Sequence, residues 1–223
     1  MVQKIFILLH SKTKTMGTRN LTMVISNNQT KVAQYGQFDG YPSGQGATAL
    51  DLLTKIVKEG ELSKFKENVD KLTWFTDEQI EKINADVDWS EKYPYLSRDW
   101  GAQILEAVHY GTLTKEPGFM RSKKLVNTCE ILGLVDNSKF AADSLFCEWA
   151  YVIDLDKNTF EVYEGFNKEP LANDERFASM PTYDDKYKPV KFVKSFDLNA
   201  LPELQQFLEE CEPKNEEDEE NEN

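Results

Sequence analysis

The chain has 223 residues, 40% of them hydrophobic, with thirteen Phe, nine Tyr and four Trp, which is enough apolar matter for one substantial core and excludes a chain disordered throughout. Its formal charge of −13 argues against a dedicated nucleic-acid binder, because affinity for phosphate backbones comes from clustered Lys and Arg. Residues 212–223 carry −6 of that charge, leaving −7 on the rest.

In chain order, the apolar run at residues 5–9 is too short for a signal-peptide core or for the roughly 20 residues that span a bilayer. Residues 1–15 read as an N-terminal extension, or else as a short edge strand at 4–10, and the domain proper is expected over 16–211. Were Met16 the initiator, Leu21 would stand where a myristoylation motif needs Ser or Thr. Residues 20–26 and 31–37 alternate between apolar and polar and predict a β-hairpin. Residues 38–46, FDGYPSGQG, contain three glycines and a proline and predict a loop.

Helical spacing of Leu50, Leu53, Ile56 and Val57 predicts a helix over 47–58, stopped at Gly60. Two more helices are expected over 61–72 and 76–87, the second capped by Thr76 with Gln79 and facing inward through Ile80, Ile83 and Val87. Residues 88–96 form an aromatic connector whose Trp89, Tyr93 and Tyr95 read as core rather than as a base-stacking platform. Ser97 predicts the cap of a helix over 98–110, stopped by Gly111. A second hairpin over 146–155 and 159–165 puts Trp149, Tyr151, Ile153 and Leu155 on one face, with 156–158 as the turn. A strand over 189–196 and a helix over 202–211, with Leu204, Phe207 and Leu208 inward, precede an acidic tail, 212–223, expected to be disordered. Together these predict an α+β fold: an antiparallel sheet built from two hairpins plus a C-terminal strand, covered by helices.

Cys129, Cys147 and Cys211 are odd in number and irregularly spaced, so reduced thiols in a cytoplasm are expected rather than a disulfide framework. Two histidines, His10 and His109, leave little room for His-based zinc chemistry. A thiol nucleophile at Cys147 would have only His109 as its base, and a buried structural cysteine is the simpler reading.

The densest group of chemistry-bearing residues is 34–46, QYGQFDGYPSGQG. Its glycines let backbone approach either a ligand or the chain itself, and the N–H groups at the following helix start suit an anion. Candidate ligand-binding residues are therefore Arg19, Gln37, Asp39, Tyr41, Gly44 and Gly46, with Arg19 and Asp39 expected to face one another as a site or as a loop-locking ion pair. Asp39, Asp99 and Glu148 are the catalytic candidates and, if they converged, a carboxylate site for Mg²⁺. Asp99 also suits a helix N-terminus, and Glu148 should lie opposite Trp149, on a solvent face or a second covered face of the sheet.

Residues 16–46, MGTRNLTMVISNNQTKVAQYGQFDGYPSGQG, resemble the opening of a group of uncharacterised bacterial, phage and fungal proteins that begin MGTRNLT and continue into QYxQWDGYPxGQG. Phe38 stands where Trp is more usual in that group. The resemblance implies kinship and a domain start near Met16; it implies no activity.

Two functions are compatible with this reading. One is a domain that binds a small molecule of nucleotide type, with or without hydrolysis, at the glycine-rich loop. The other is a non-catalytic acidic protein, such as a phage-type modulator of a host protein, acting through charge rather than through direct contact with nucleic acid or membrane.

Overall fold

A computed structural model describes residues 17–111, 133–182 and 185–212. The proposed extension at 1–15, Cys129 and all of the tail beyond Glu212 lie outside the described residues.

Strands β1 (Asn20–Ser26) and β2 (Gln29–Gly36) form the first hairpin. Asn27 and Asn28 both take φ of 55°, the left-handed geometry of a two-residue hairpin turn that asparagine tolerates. Strands β3 (Trp149–Asp154) and β4 (Thr159–Glu164) form the second hairpin, and β5 (Lys191–Asp197) adds to β4. Asp156, in the second turn, accepts the Asn27 and Asn28 N–H groups at 2.9 and 2.7 Å and ties the two turns together.

The sheet order is β2-β1-β3-β4-β5. The two hairpins join through a parallel pair, with Asn20 opposite Trp149 and Val24 opposite Ile153, so the sheet is not wholly antiparallel. Both strands of that pair are buried on both faces, the environment in which parallel pairing occurs. In consequence, β1 and β3 begin, and β2 and β4 end, at the same edge of the sheet.

The first face is covered by α1 (Ala47–Lys58), α2 (Leu62–Asp70), α5 (Ile104–Tyr110) and α6 (Leu204–Cys211). Their apolar stripes meet Val24, Val32, Tyr151, Ile153 and Phe160, and Phe207 stacks on Phe160 with ring centroids 5.8 Å apart. The short helices α3 (Asp77–Ala85) and α4 (Trp89–Lys92) are peripheral, α3 opening on the expected Thr76–Gln79 capping box. Val87 falls past the end of α3 and is almost wholly exposed, and Leu204, at the first residue of α6, is half exposed, so neither joins the core. Tyr95 is buried and Tyr93 packs edge-on against it, so that part of the aromatic connector is core.

The expected helix over 98–110 is shorter. Gly101 takes φ of 48° beside the Gln45 side chain, and regular helix begins only at Ile104, after a single 3-10 turn. Ser97 and Asp99 bond to each other instead of capping it.

Among the described residues the second face is covered by a 3-10 turn at Ser138–Ala142 and by irregular chain, with Phe140, Ala141, Phe177, Met180 and Val190 packed on Leu21, Met23, Ala150, Val152 and Tyr163. Arg176 fastens this layer: its Nε donates to Glu161 Oε2 at 2.8 Å and its Nη2 to Asp154 Oδ2 at 2.7 Å and Glu161 Oε1 at 2.8 Å. No described helix is long and apolar enough to cross a membrane.

Candidate functional site

At the edge where four strands begin or end lie Arg19 and Glu148, with Gln37 and the 38–46 loop following the end of β2. Arg19 immediately precedes β1. Its N–H donates to Glu148 Oε1 at 3.2 Å, and its carbonyl accepts the Glu148 and Trp149 N–H groups at 3.1 and 3.4 Å. Glu148 is thereby tied to the start of β1, with its side chain largely covered. The guanidinium stands 3.6 Å from the same Oε1, too far for a hydrogen bond, and lies over the Phe146 ring with its carbon 4.7 Å from the centroid. Among the described residues the buried Nε has no hydrogen-bond partner. The Arg19 side chain is 30% exposed and that of Glu148 17%, so the pair sits at a boundary between core and solvent.

The anticipated Arg19–Asp39 pair is not formed; the ion-pair partner is Glu148. Asp39 is exposed, with φ of 53°, and its part in the loop is played by its carbonyl, which accepts the Gln45 N–H at 2.7 Å. Gln37 is held by Tyr35, whose hydroxyl donates to Gln37 Oε1 at 2.5 Å, and by a 2.8 Å bond from its own N–H to the Arg98 carbonyl. Tyr35 packs edge-on against Phe140. Burial pushes its hydroxyl pKa up, and the positive charges of Arg19 and Arg98 oppose that shift, which places both cations in electrostatic reach of this corner.

The glycine-rich loop closes on the chain itself. A Cβ on Gly44 would lie 2.1 Å from the Asp39 carbonyl oxygen, one on Gly40 2.7 Å from the Thr18 carbonyl oxygen, and one on Gly46 2.9 Å from the Tyr151 ring. The Gly44 and Gly46 N–H groups return to the Tyr41 carbonyl at 2.9 and 3.3 Å, and the Ser43 N–H meets the Glu212 carboxylate at 2.8 Å. Tyr41 packs against the main core. Close backbone approach is thus what these glycines provide, and the helix-start amides are already bonded.

Asp99 accepts the Ser97 hydroxyl at 3.2 Å. Asp39, Asp99 and Glu148 do not bring their carboxylates together: the group of described residues that gathers three candidate ligand atoms within 4.8 Å is Glu59, Glu61 and His109. Cys147 is fully buried, its thiol pKa pushed well up by burial and by Asp143 and Glu148, with its Sγ turned to the Trp149 carbonyl. It packs on the second face, whereas His109 is fixed among the helices by the Phe65 ring, so the two form no nucleophile–base pair.

Phe146, Tyr35 and the group of Glu59, Glu61 and His109 are not among the site residues expected from sequence. Tyr35 was discoverable from register, since β-hairpin pairing sets it opposite Leu21, on the face shared with Arg19. Comparison with protein-family models, curated proteins and solved structures finds no match to this chain.

Proposed function

We propose that the chain binds a small anionic ligand, a phosphate or carboxylate with an apolar part, at the Arg19 edge of the sheet. The observation that carries this reading is the state of the guanidinium: it is held in place by Phe146 and Glu148, partly exposed, and makes no hydrogen bond among the described residues. A guanidinium offers five donors in a fixed fork suited to two oxygens of one anion. Gln37, held by Tyr35, supplies a neutral amide at the same corner. Phe146 and Phe166 are exposed apolar surface on the adjoining chain, where the Phe166 N–H bonds the Ser144 carbonyl at 2.7 Å. A nucleotide-type ligand meets these requirements with its phosphate on Arg19. In a hydrolytic version, Glu148 would be the base.

The test is a thermal-shift and calorimetric titration of the full chain with inorganic phosphate, nucleoside monophosphates and dicarboxylates. A ligand at a hundredfold excess over its Kd should add about 2.7 kcal/mol of stability. Arg19→Met, which keeps the stem over Phe146, should abolish the shift while leaving the unliganded Tm within a few degrees. A shift that survives in Arg19→Met, or no shift with any of these anions, would refute the reading.

A further inference from the structure

A second group of ligating side chains lies among the helices, away from the Arg19 edge. Glu59 and Glu61 flank Gly60, which takes φ of 71° where the chain turns out of α1, and His109 occupies the last turn of α5. The His109 side chain is fully buried, with its Nε2 2.8 Å from Glu61 Oε2 and its Nδ1 without a partner among the described residues. The ring meets Phe65 and Tyr110 edge-on, at centroid distances of 6.0 and 4.3 Å. One ligand atom from each of the three residues falls within 4.8 Å of the others.

Two features make the spot attractive to a cation. The C-terminal ends of α1 and α5 meet here, each presenting the negative end of its dipole. The carboxylates also already hold positively polarised groups, Lys64 Nζ on Glu61 Oε2 and the Tyr110 hydroxyl on Glu59 Oε2, both at 3.0 Å. A metal ion would exchange with these surface contacts, while the imidazole stays where the core has set it. Two carboxylate oxygens with one imidazole nitrogen suit first-row divalent ions better than Mg²⁺ or Ca²⁺, which prefer oxygen alone.

We propose that Glu59, Glu61 and His109 form a binding site for a first-row divalent transition ion of the Zn²⁺ or Mn²⁺ kind. Exposed Glu59 lies on the open side, so water completes the coordination there. Lys64 acts as a competitor for the Glu61 oxygen and lowers the affinity of the site.

The test is calorimetric titration of the chelator-treated full chain with Zn²⁺ and Mn²⁺, with Co²⁺ absorption as a spectroscopic check on nitrogen ligation. Glu59→Gln and Glu61→Gln alter partly or fully exposed side chains and should fold normally. The expected result is one ion per chain, bound about tenfold or more weakly in each glutamine variant and more tightly in Lys64→Met. No binding by the parent chain overturns the site. So does unchanged affinity in either glutamine variant, which would assign the ion to other groups such as the thiols, or equal competition by Mg²⁺, which would remove the imidazole.

Discussion

Arg176→Met isolates what holds the second face of the sheet. Arg176 is 16% exposed, and its partners Asp154 and Glu161 are 3% and 9% exposed. The guanidinium makes three bonds of 2.7 to 2.8 Å to them, and the Tyr163 hydroxyl adds a 2.6 Å bond to Glu161. Methionine retains most of the stem but leaves two nearly buried carboxylates without a counter-charge, a change that costs about 3–5 kcal/mol. That is a large fraction of the roughly 5–15 kcal/mol that separates folded from unfolded domains.

The pH dependence sharpens the test. Burial pushes the Asp154 and Glu161 carboxyls up, and Arg176 with the neighbouring hydrogen bonds overcomes it and holds both below their ordinary values. A depressed folded pKa contributes stability above the unfolded pKa, about 4, and that contribution is lost as pH falls through the folded value. In the variant, burial acts with much less opposition, both carboxyls rise, and protonation relieves the unpaired charge. Urea unfolding followed by circular dichroism should therefore show the largest deficit at pH 7 and a smaller one near pH 4. A deficit below about 1 kcal/mol at pH 7, or one constant between the two pH values, would refute the account of Arg176 as the fastening of this face.

Three further outcomes are expected. Gly44→Ala should destabilise the chain by several kcal/mol in the same urea assay, since its Cβ would be driven to 2.1 Å from the Asp39 carbonyl oxygen; a loss under about 1 kcal/mol would show that the loop can open at little cost. Phe166 takes φ of 53°, costly for a bulky residue, while the residue is 51% exposed, so Phe166→Gly should raise the Tm and weaken any ligand that rests on the ring; a lowered Tm would contradict the strain. Phe207→Ala should cost about 3–5 kcal/mol by opening a cavity beside Phe160 and Phe196, measured as a fall in the urea midpoint; a much smaller loss would mean that α6 is not part of the cooperative core.

Local pattern made both hairpins, α1 and the α3 cap legible, because each depends on residues close in sequence: alternating apolar positions, Asn27 and Asn28 in the turn, Thr76 with Gln79. The joining of the hairpins through parallel β1 and β3 was not legible, since pairing of strands 129 residues apart leaves no local signature. The shortened helix that carries His109 has a similar cause: Gly101 looks tolerable within a helix until the Gln45 side chain occupies the space beside it. Arg19 was recognisable as a residue at a strand end, yet its partner was misassigned to Asp39, the nearer acid in sequence. Glu148 is the nearer in space because β3 starts in register with β1.

That register also explains how the glycine-rich loop and the Arg19 corner divide their work. The loop must leave β2, cross the open edge of the sheet and enter α1 while packing against the Thr18 carbonyl and the Tyr151 ring, and each of those contacts requires a glycine. Once its amides have bonded to Tyr41, Asp39 and Glu212 it has few donors to offer a ligand, so density of special-geometry residues marks a scaffold here. The proposed recognition rests instead on side chains that the same edge brings in from distant parts of the chain. Arg19 and Gln37 flank the first hairpin, Phe146 and Glu148 lead into the second, and Arg19 combines a fixed position and a positive charge with donors that make no hydrogen bond among the described residues. Loss of binding together with stability in Gly44→Ala, and loss of binding alone in Arg19→Met, is the pair of results that this division of labour requires.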